Sequence, residues 1–210
     1  MSEVNDNIKF KFYNWGPLLI KFKVDDSICD ELLDRAKKLT IKDDDARINL
    51  VANIEKSLTF KDEDKDYFVK NTSNIFNAYL EHSRNNWTTK PSVFQKNVKQ
   101  LYMNTLWINY MRKNDFSPPH EHYGDLSFVL FCDVPNELRK EYESNITTSE
   151  GPGTLNFMYG DGLQHYINSN TFFPEKGDFF IFPARLKHWV HPFKTDITRI
   201  SIAGNMEFQY

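Results

Sequence analysis

The run KGDFFIFPARLKHWVHPF, residues 176–193, contains the pattern that decides the fold of this chain. A Gly-Asp pair predicts a turn, Phe179 to Phe182 predict a buried strand, and Pro183 predicts the end of that strand. A short connection then brings His188 to the start of the next strand. Similar aromatic and branched runs, separated by Gly, Pro or Asn, recur from residue 98 onward. Their spacing predicts an antiparallel sandwich or barrel rather than a parallel α/β sheet.

The predicted elements divide the chain near residue 98. In the second part we expect strands over 98–110, 126–134, 154–159, 179–182 and 198–203, the last ending at Gly204, and a mobile loop over 136–149. In the first part we expect strands over 8–12 and 18–24, a helix capped by Asp25 or Asp26, a loop with room for a short helix over 41–65 and a helix over 66–83. The fold class is therefore mainly β with N-terminal helices. We expect one structural domain, in which residues 1–97 pack on a β core formed by residues 98–210.

Composition narrows the class of function. The chain has 210 residues, with 26 Lys and Arg against 29 Asp and Glu, so its net charge is −3. A charge so close to neutral argues against binding to nucleic acid or to an anionic membrane, which needs a positive field. No apolar run is long enough for a transmembrane helix, and the polar start does not resemble a signal peptide. The two cysteines predict no disulfide framework, and we expect a cytoplasmic protein.

Two groups of histidines stand beside predicted strands. His120 and His122 follow a Ser-Pro-Pro sequence and precede the strand at residue 126. Residues i and i+2 of an extended chain face the same way, about 6.5–7 Å apart, so two imidazoles there could meet a third from a distant strand on one metal ion. His188 is the candidate for the third. The alternative is that each histidine is an ordinary polar residue at a strand start. His191 is interpreted as a residue behind the ligands or on the surface, and His82 and His165 as non-ligands.

Arg199 and Ser201 share one face of the last predicted strand, with isoleucines on the other. Burying an arginine is energetically unfavourable unless an anion pairs with it. A substrate carboxylate could accept bidentate hydrogen bonds from the guanidinium. The alternatives are that Arg199 faces solvent or pairs with an internal carboxylate such as Asp178.

Together these motifs resemble the 2-oxoglutarate/Fe(II)-dependent dioxygenase superfamily. The motifs are Asn109-Tyr110, Phe116-Ser-Pro-Pro-His120-x-His122, Gly177-Asp178, the segment Phe182 to Pro192 and Arg199-x-Ser201. The likeness covers about residues 98–206, and the most similar branch is that of prolyl-4-hydroxylase-like and phage-encoded oxygenases. It implies a double-stranded β-helix, or jelly roll, with helices outside, and an enzyme that uses Fe(II) and 2-oxoglutarate.

The resemblance also implies roles for single residues. His120 and His188 match the first and the distal metal-binding histidines. Arg199 and Ser201 match residues that hold the distal carboxylate of 2-oxoglutarate, and Tyr110 stands near a tyrosine that often contacts the same co-substrate. His122 departs from the family, because most members have a carboxylate there. The sequence leaves two possibilities for the third ligand: His122 itself, or Asp125 folding back after Gly124.

The implied reaction is decarboxylation of 2-oxoglutarate to succinate and CO₂, coupled to hydroxylation of a C–H bond. The substrate could be an amino acid, a peptide or protein side chain, or a small metabolite, and the segments 136–150 and 160–170 could form a lid over it. One alternative is a cupin-like three-histidine metalloenzyme that does not use 2-oxoglutarate, and another is a non-enzymatic jelly-roll protein. The sequence predicts no oligomeric state.

Overall fold

A computed structural model describes residues 16–86, 98–160 and 169–210 of the chain. The strands are β1 (Ile20–Lys23), β2 (Lys56–Thr59), β3 (Gln100–Met111), β4 (Ser117–His120), β5 (Leu126–Asp133), β6 (Leu155–Met158), β7 (Ser169–Phe172), β8 (Asp178–Pro183), β9 (Lys187–Val190) and β10 (Arg199–Gln209). The helices are α1 (Asp26–Ala36), α2 (Ile41–Asp44), α3 (Asp62–Asn86) and α4 (Asn136–Glu143), with a 3₁₀ turn at Arg47–Asn49. The strand expected over residues 8–12 lies outside the described residues.

The strands form two antiparallel sheets, which confirms the expected jelly roll. The larger sheet has the order β1-β8-β5-β10-β3-β2, and the smaller sheet has the order β4-β9-β6-β7. Strand β1 pairs with β8 and strand β2 pairs with β3, so the first part of the chain supplies both edges of the larger sheet. The division of the chain at residue 98 remains a prediction.

Helices α1 and α3 cover the outer face of the larger sheet. Asp25 caps α1, as expected, by accepting a hydrogen bond from Ser27 N at 2.8 Å. From α3, Phe68 stacks on Phe128 of β5 at 5.0 Å between ring centroids, and Phe76 meets the same ring edge-on at 5.5 Å. These aromatic contacts bury the apolar side of α3 and leave the inner face of the sheet for the smaller sheet and the cavity between them.

The expectation of a mobile loop over residues 136–149 is wrong, because residues 136–143 form helix α4. The segment is largely charged, but Leu138 is fully buried and Tyr142 packs on Phe173 with ring centroids 4.6 Å apart. Glu141 accepts hydrogen bonds from the backbone N–H groups of Lys194 and Thr195 at 2.9 and 2.8 Å. Contacts with residues distant in the sequence therefore fix this helix.

Two other boundaries differ from expectation. Within residues 41–65 the short helix is present as α2, but Lys56–Thr59, which we expect to be loop, pair with β3 as strand β2. Strand β10 continues through Gly204 to Gln209 instead of ending there. At Gly204 a Cβ atom would lie 2.5 Å from Thr105 O and from the Phe128 ring, so this glycine lets the strand pass close to its neighbours.

In the part of the chain that the structure describes, no helix is both long enough and apolar enough to cross a membrane.

Candidate metal centre

Three histidines converge between the two sheets. His120 on β4 pairs across the smaller sheet with His188 on β9. His122 follows β4, where its backbone N–H donates to Ala184 O at 2.8 Å. The nearest ring nitrogens of the three residues all lie within 4.8 Å of one another. A transition metal binds imidazole nitrogen at about 2.0–2.1 Å, so one ion between the three rings is within reach of all of them.

Backbone carbonyls orient two of the rings. Nδ1 of His120 lies 2.7 Å from Pro118 O, and Nδ1 of His188 lies 2.9 Å from Leu186 O. A carbonyl oxygen only accepts, so each Nδ1 carries the proton and each Nε2 keeps its lone pair. Metal-binding histidines are commonly held in this way by their second nitrogen.

Burial keeps these imidazoles neutral. It lowers the pKa of His188 to about 3, with a further contribution from the neighbouring His120. It lowers the pKa of His122 to about 4, again helped by His120, and it also lowers the pKa of His120. Neutral imidazole is the form that binds a metal, so no proton has to leave before an ion enters near pH 7.

Asp125, the alternative third ligand, is engaged elsewhere. Its Oδ2 accepts a hydrogen bond from Phe208 N at 2.7 Å, and its backbone pairs with Met206 and Ala184. Gly124 before it has φ +96°, the conformation that glycine permits, but the turn leads the carboxylate toward β10. Of the two candidates, His122 is the one that lies with His120 and His188.

Arg199 is buried at the start of β10. Its Nη1 donates to Gly153 O at 2.7 Å, its Nη2 lies 2.8 Å from Met111 Sδ, and the guanidinium stands 5.1 Å from the centroid of the Phe131 ring. Its Nε has no hydrogen-bond partner among the described residues, and none of their carboxylates forms an ion pair with it. Burial lowers its pKa to about 10, so it remains a cation near neutral pH.

The internal partner considered for Arg199 does not pair with it. Asp178 is buried, but its carboxylate binds Lys21 and Lys23 at 3.1 and 3.2 Å across the β1–β8 pair. The guanidinium therefore faces the cavity with its positive charge unmatched by the described protein groups, an arrangement that favours an anionic ligand.

A cavity of about 400 Å³ connects the two features. The larger sheet contributes Arg199 and Ser201 to its wall, and the smaller sheet contributes His120 and His188. The rest of the wall is largely apolar and aromatic, with four asparagines among its polar members (Asn49, Asn104, Asn109 and Asn205).

The expected role of Tyr110 at the co-substrate is not supported, because its side chain is on the other face of β3. Strand alternation turns Asn109 and Met111 toward the cavity and Tyr110 toward the helix side, where it packs against the main core. Its ring lies 4.2 Å from Lys56 Nζ.

The remaining histidines lie apart from the cluster. His191 Nε2 accepts from Trp189 Nε1 at 3.1 Å and stands 3.1 Å from Glu150. His82 is an exposed residue of α3, and His165 lies outside the described residues.

Sequence reasoning missed three contributors to the site. Gly153 and Met111 contact the guanidinium, and residues 49–54 form part of the cavity wall. Met111 could have been found from strand alternation with Asn109. The other two depend on contacts between distant segments and leave no local pattern.

Comparison with known proteins agrees with this geometry. Residues 105–205 match the family model described as "Putative 2OG-Fe(II) oxygenase". Among curated proteins, none is similar in sequence to this chain.

Several solved structures share the fold. A prolyl-4-hydroxylase from Pseudomonas putida has a TM-score of 0.54 at 11% identity, over 91% of this chain and 93% of that one. The viral collagen prolyl hydroxylase vCPH from Paramecium Bursaria Chlorella virus-1, in its 2-oxoglutarate complex, has a TM-score of 0.53 at 13% identity, over 90% of this chain and 94% of that one. HygX from Streptomyces hygroscopicus, with nickel and 2-oxoglutarate bound, has a TM-score of 0.52 at 10% identity, over 91% of this chain and 82% of that one. At these identities the likeness is one of fold.

The matched segment contains the three histidines and the buried arginine, and the fold around it is the jelly roll that the family implies. Residues 105–205 of this chain match the 2-oxoglutarate/Fe(II)-dependent oxygenase family, and this match together with the three-histidine cluster supports an oxygenase that uses Fe(II) and 2-oxoglutarate.

Proposed function

We propose that the chain hydroxylates a C–H bond of an amino acid, a peptide or protein side chain, or a small metabolite, with His120, His122 and His188 holding the iron. The observation that carries this assignment is the shared cavity, which has three neutral imidazoles on one wall and a buried cation without a carboxylate partner on another. When bound, iron and 2-oxoglutarate would supply the oxidation of the C–H bond, with 2-oxoglutarate converted to succinate and CO₂.

The three histidines fit Fe(II). The three imidazoles, two of which have their tautomer set by a backbone carbonyl, would hold Fe(II) and would leave room at the metal for the bidentate co-substrate and oxygen. With His122 in place of the usual carboxylate, the protein contributes no negative charge to the site. The iron would therefore carry one more positive charge than in a two-histidine-one-carboxylate site, which favours binding of a dianionic co-substrate.

Arg199 and Ser201 would bind the distal carboxylate of 2-oxoglutarate. The Gly153 carbonyl and the Phe131 ring hold the guanidinium in the wall, so the charge is oriented before the ligand arrives. Ser201 is buried on the same face of β10, two residues away, and adds a hydroxyl donor. A charged hydrogen bond formed in so dry a cavity is stronger than the same bond in water.

The apolar wall would also exclude water from the cavity. Aromatic residues such as Phe131 and Phe182 are almost completely buried beside the site. A dry cavity strengthens the electrostatic hold on the co-substrate and protects the reaction from side reactions with solvent.

The direct test is an anaerobic binding measurement followed by a turnover assay. We expect the parent protein to bind one Fe(II) and one 2-oxoglutarate and to form succinate when oxygen is admitted. His188→Ala should lose iron binding, and Arg199→Gln should keep the iron but lose 2-oxoglutarate at concentrations near the parent Kd. Iron binding by the parent without 2-oxoglutarate binding or succinate formation would favour the cupin-like alternative, and absence of both iron and 2-oxoglutarate binding in the parent would favour a non-enzymatic jelly roll.

A further inference from the structure

Two polar groups in the cavity wall, besides that of Arg199, are buried and have no hydrogen-bond partner among the described residues. They are Nε1 of Trp107 and Oδ1 of Asn104. Both residues lie on β3 and line the cavity, and Trp107 is only 7% exposed. A buried donor or acceptor without a partner is unfavourable, so a pair of them in the wall of a binding cavity points to a ligand that completes them.

A β-bulge directs Asn104 into the cavity. On β10, Asn205 pairs with Thr105 and the next residue, Met206, pairs with Met103, so Asn104 is an extra residue in β3. The bulge places Asn104 on the same cavity wall as Thr105 and turns Met103 into the helix-side core. Without the extra residue, alternation would direct Asn104 to the core. Bulges beside active sites often redirect a side chain in this way.

The order of residues along β3 separates this pair from the proposed co-substrate site. Met111, at one end of the strand, pairs with Arg199. Trp107 comes next to the metal centre, with its ring centroid 5.9 Å from that of His122. Asn104 lies farther along, on the side away from Arg199. If 2-oxoglutarate extends from the histidines toward Arg199, the space near Trp107 and Asn104 is left for the molecule that is oxidised.

The charges of the described wall residues favour a neutral recognition group near Trp107 and Asn104. Apart from the histidines, the charged residues that line the described cavity are Arg199 and Glu121, and Glu121 pairs with Arg185 at 3.3 Å. The groups near Trp107 that lack a partner among the described residues are therefore one N–H donor and one carbonyl acceptor, in a largely apolar wall. A neutral amide is complementary to these two groups, because its C=O accepts and its N–H donates on opposite sides.

We propose that Trp107 and Asn104 bind an amide group of a neutral substrate and thereby determine which molecules the enzyme oxidises. This assignment rests on the proposed function. The amide carbonyl accepts from Trp107 Nε1, and the amide N–H donates to Asn104 Oδ1. A peptide bond and the carboxamide of a small molecule share this chemistry, and the experiment below distinguishes them.

The test uses fluorine NMR of the protein labelled with 5-fluorotryptophan and loaded with 2-oxoglutarate and Zn(II), a diamagnetic replacement for Fe(II). The chain has four tryptophans, and Trp107→Phe assigns the relevant resonance by its loss. The probes are N-acetyl-L-leucine N-methylamide for a peptide bond and isovaleramide for a small carboxamide. Methyl isovalerate and isoamyl alcohol are matched compounds without an amide. We expect the amide probes to shift the Trp107 resonance, and the tighter-binding amide to identify the source.

Variants separate the two side chains. By intrinsic fluorescence or calorimetry, Trp107→Phe and Asn104→Leu should each weaken amide binding at least about threefold, the loss expected for one hydrogen bond. Both should bind 2-oxoglutarate within about twofold of the parent. Trp189→Phe is the matched control, because Trp189 Nε1 donates to His191 and the residue does not line the cavity.

Several results would overturn the assignment. These are equal binding of the ester or the alcohol, no response to either amide up to its solubility limit, or unchanged amide affinity in both variants. The measurement on the parent protein does not depend on whether a variant folds. If the parent does not bind 2-oxoglutarate, the proposed function fails; if it binds 2-oxoglutarate but shows one of the three results above, only this inference fails.

Discussion

The guanidinium of Arg199 is held by a backbone carbonyl, since its Nη1 donates to Gly153 O at 2.7 Å. Gly153 has φ +70°, and a Cβ atom there would lie 2.9 Å from a methyl group of Leu138 in α4. The helix, the glycine turn and the arginine thus form one packed unit. Because the partner is a neutral carbonyl rather than a carboxylate, the positive charge is oriented but not neutralised, and it remains available to an anionic ligand.

Replacing this arginine should mainly affect the co-substrate. Arg199→Gln should weaken 2-oxoglutarate binding about 10- to 100-fold, the range for loss of a charged hydrogen bond in a buried site, while iron binding stays near one equivalent. Calorimetric titration of the anaerobic iron-loaded protein measures the effect. Arg112→Gln is the matched control, since Arg112 is half exposed and pairs with Glu55. Equal 2-oxoglutarate affinity in both variants would show that Arg199 does not bind the co-substrate.

The histidine cluster should determine metal content. His188→Ala removes a ligand from the most buried corner of the site and should reduce bound iron to below about a tenth of the parent level at equal free Fe(II). His122→Asp restores a carboxylate at the position where most of the superfamily has one, so it should keep about one equivalent of iron. Elemental analysis after equilibrium dialysis gives both values. Full occupancy in His188→Ala would contradict the assignment of this ligand.

Acidification should destabilise the metal-free protein. The folded pKa values of His122 and His188 are about 4 and about 3, against about 6.5 in the unfolded chain. Between these values the unfolded chain binds more protons, so stability is complete above pH 6.5 and falls as the pH decreases. The loss is up to about 1.4 kcal/mol per pH unit for each histidine. Urea unfolding at pH 7 and pH 5 measures it.

The same experiment on His122→Asn isolates one contribution. The variant should lose less stability than the parent between the two pH values, because asparagine does not titrate. An identical pH dependence of the two proteins would mean that His122 is not buried as a neutral imidazole.

The close approach at Gly204 should be sensitive to a single methyl group. Gly204→Ala would place Cβ 2.5 Å from Thr105 O, and backbone cannot yield as a flexible side chain does. We expect a loss of about 1–3 kcal/mol in the free energy of unfolding, the usual cost of overpacking. Gly16→Ala is the control, since its Cβ would meet nothing within 4 Å and should change stability little. A Gly204→Ala protein as stable as the parent would contradict the β3–β10 packing described above.

Sequence patterns were sufficient to predict the direction of a side chain where that direction follows from alternation along a single strand. Alternation on the last strand placed Arg199 and Ser201 on one face, and the structure has both in the cavity wall. The two-residue spacing of His120 and His122 likewise placed both rings near His188. On β10 local geometry and burial agree, so the period-two pattern decides the direction of the side chain.

Sequence patterns did not predict features of the structure that depend on tertiary contacts. The charged residues of α4 show few apolar positions, and the helix depends on Leu138 fitting into the core. The family resemblance implies a co-substrate role for Tyr110, but alternation with Asn109 turns its side chain to the other face of β3. The bulge at Asn104 exists only through the pairing of β3 with β10, and a single strand carries no sign of it.

The most direct test of the central claim is the crystal structure of the anaerobic Fe(II)–2-oxoglutarate complex, with the metal located by anomalous scattering at the iron absorption edge. We predict one iron atom bonded to His120, His122 and His188, and a co-substrate whose far carboxylate contacts Arg199. An iron atom bonded to Asp125 in place of His122, or a co-substrate carboxylate that does not reach Arg199, would contradict it.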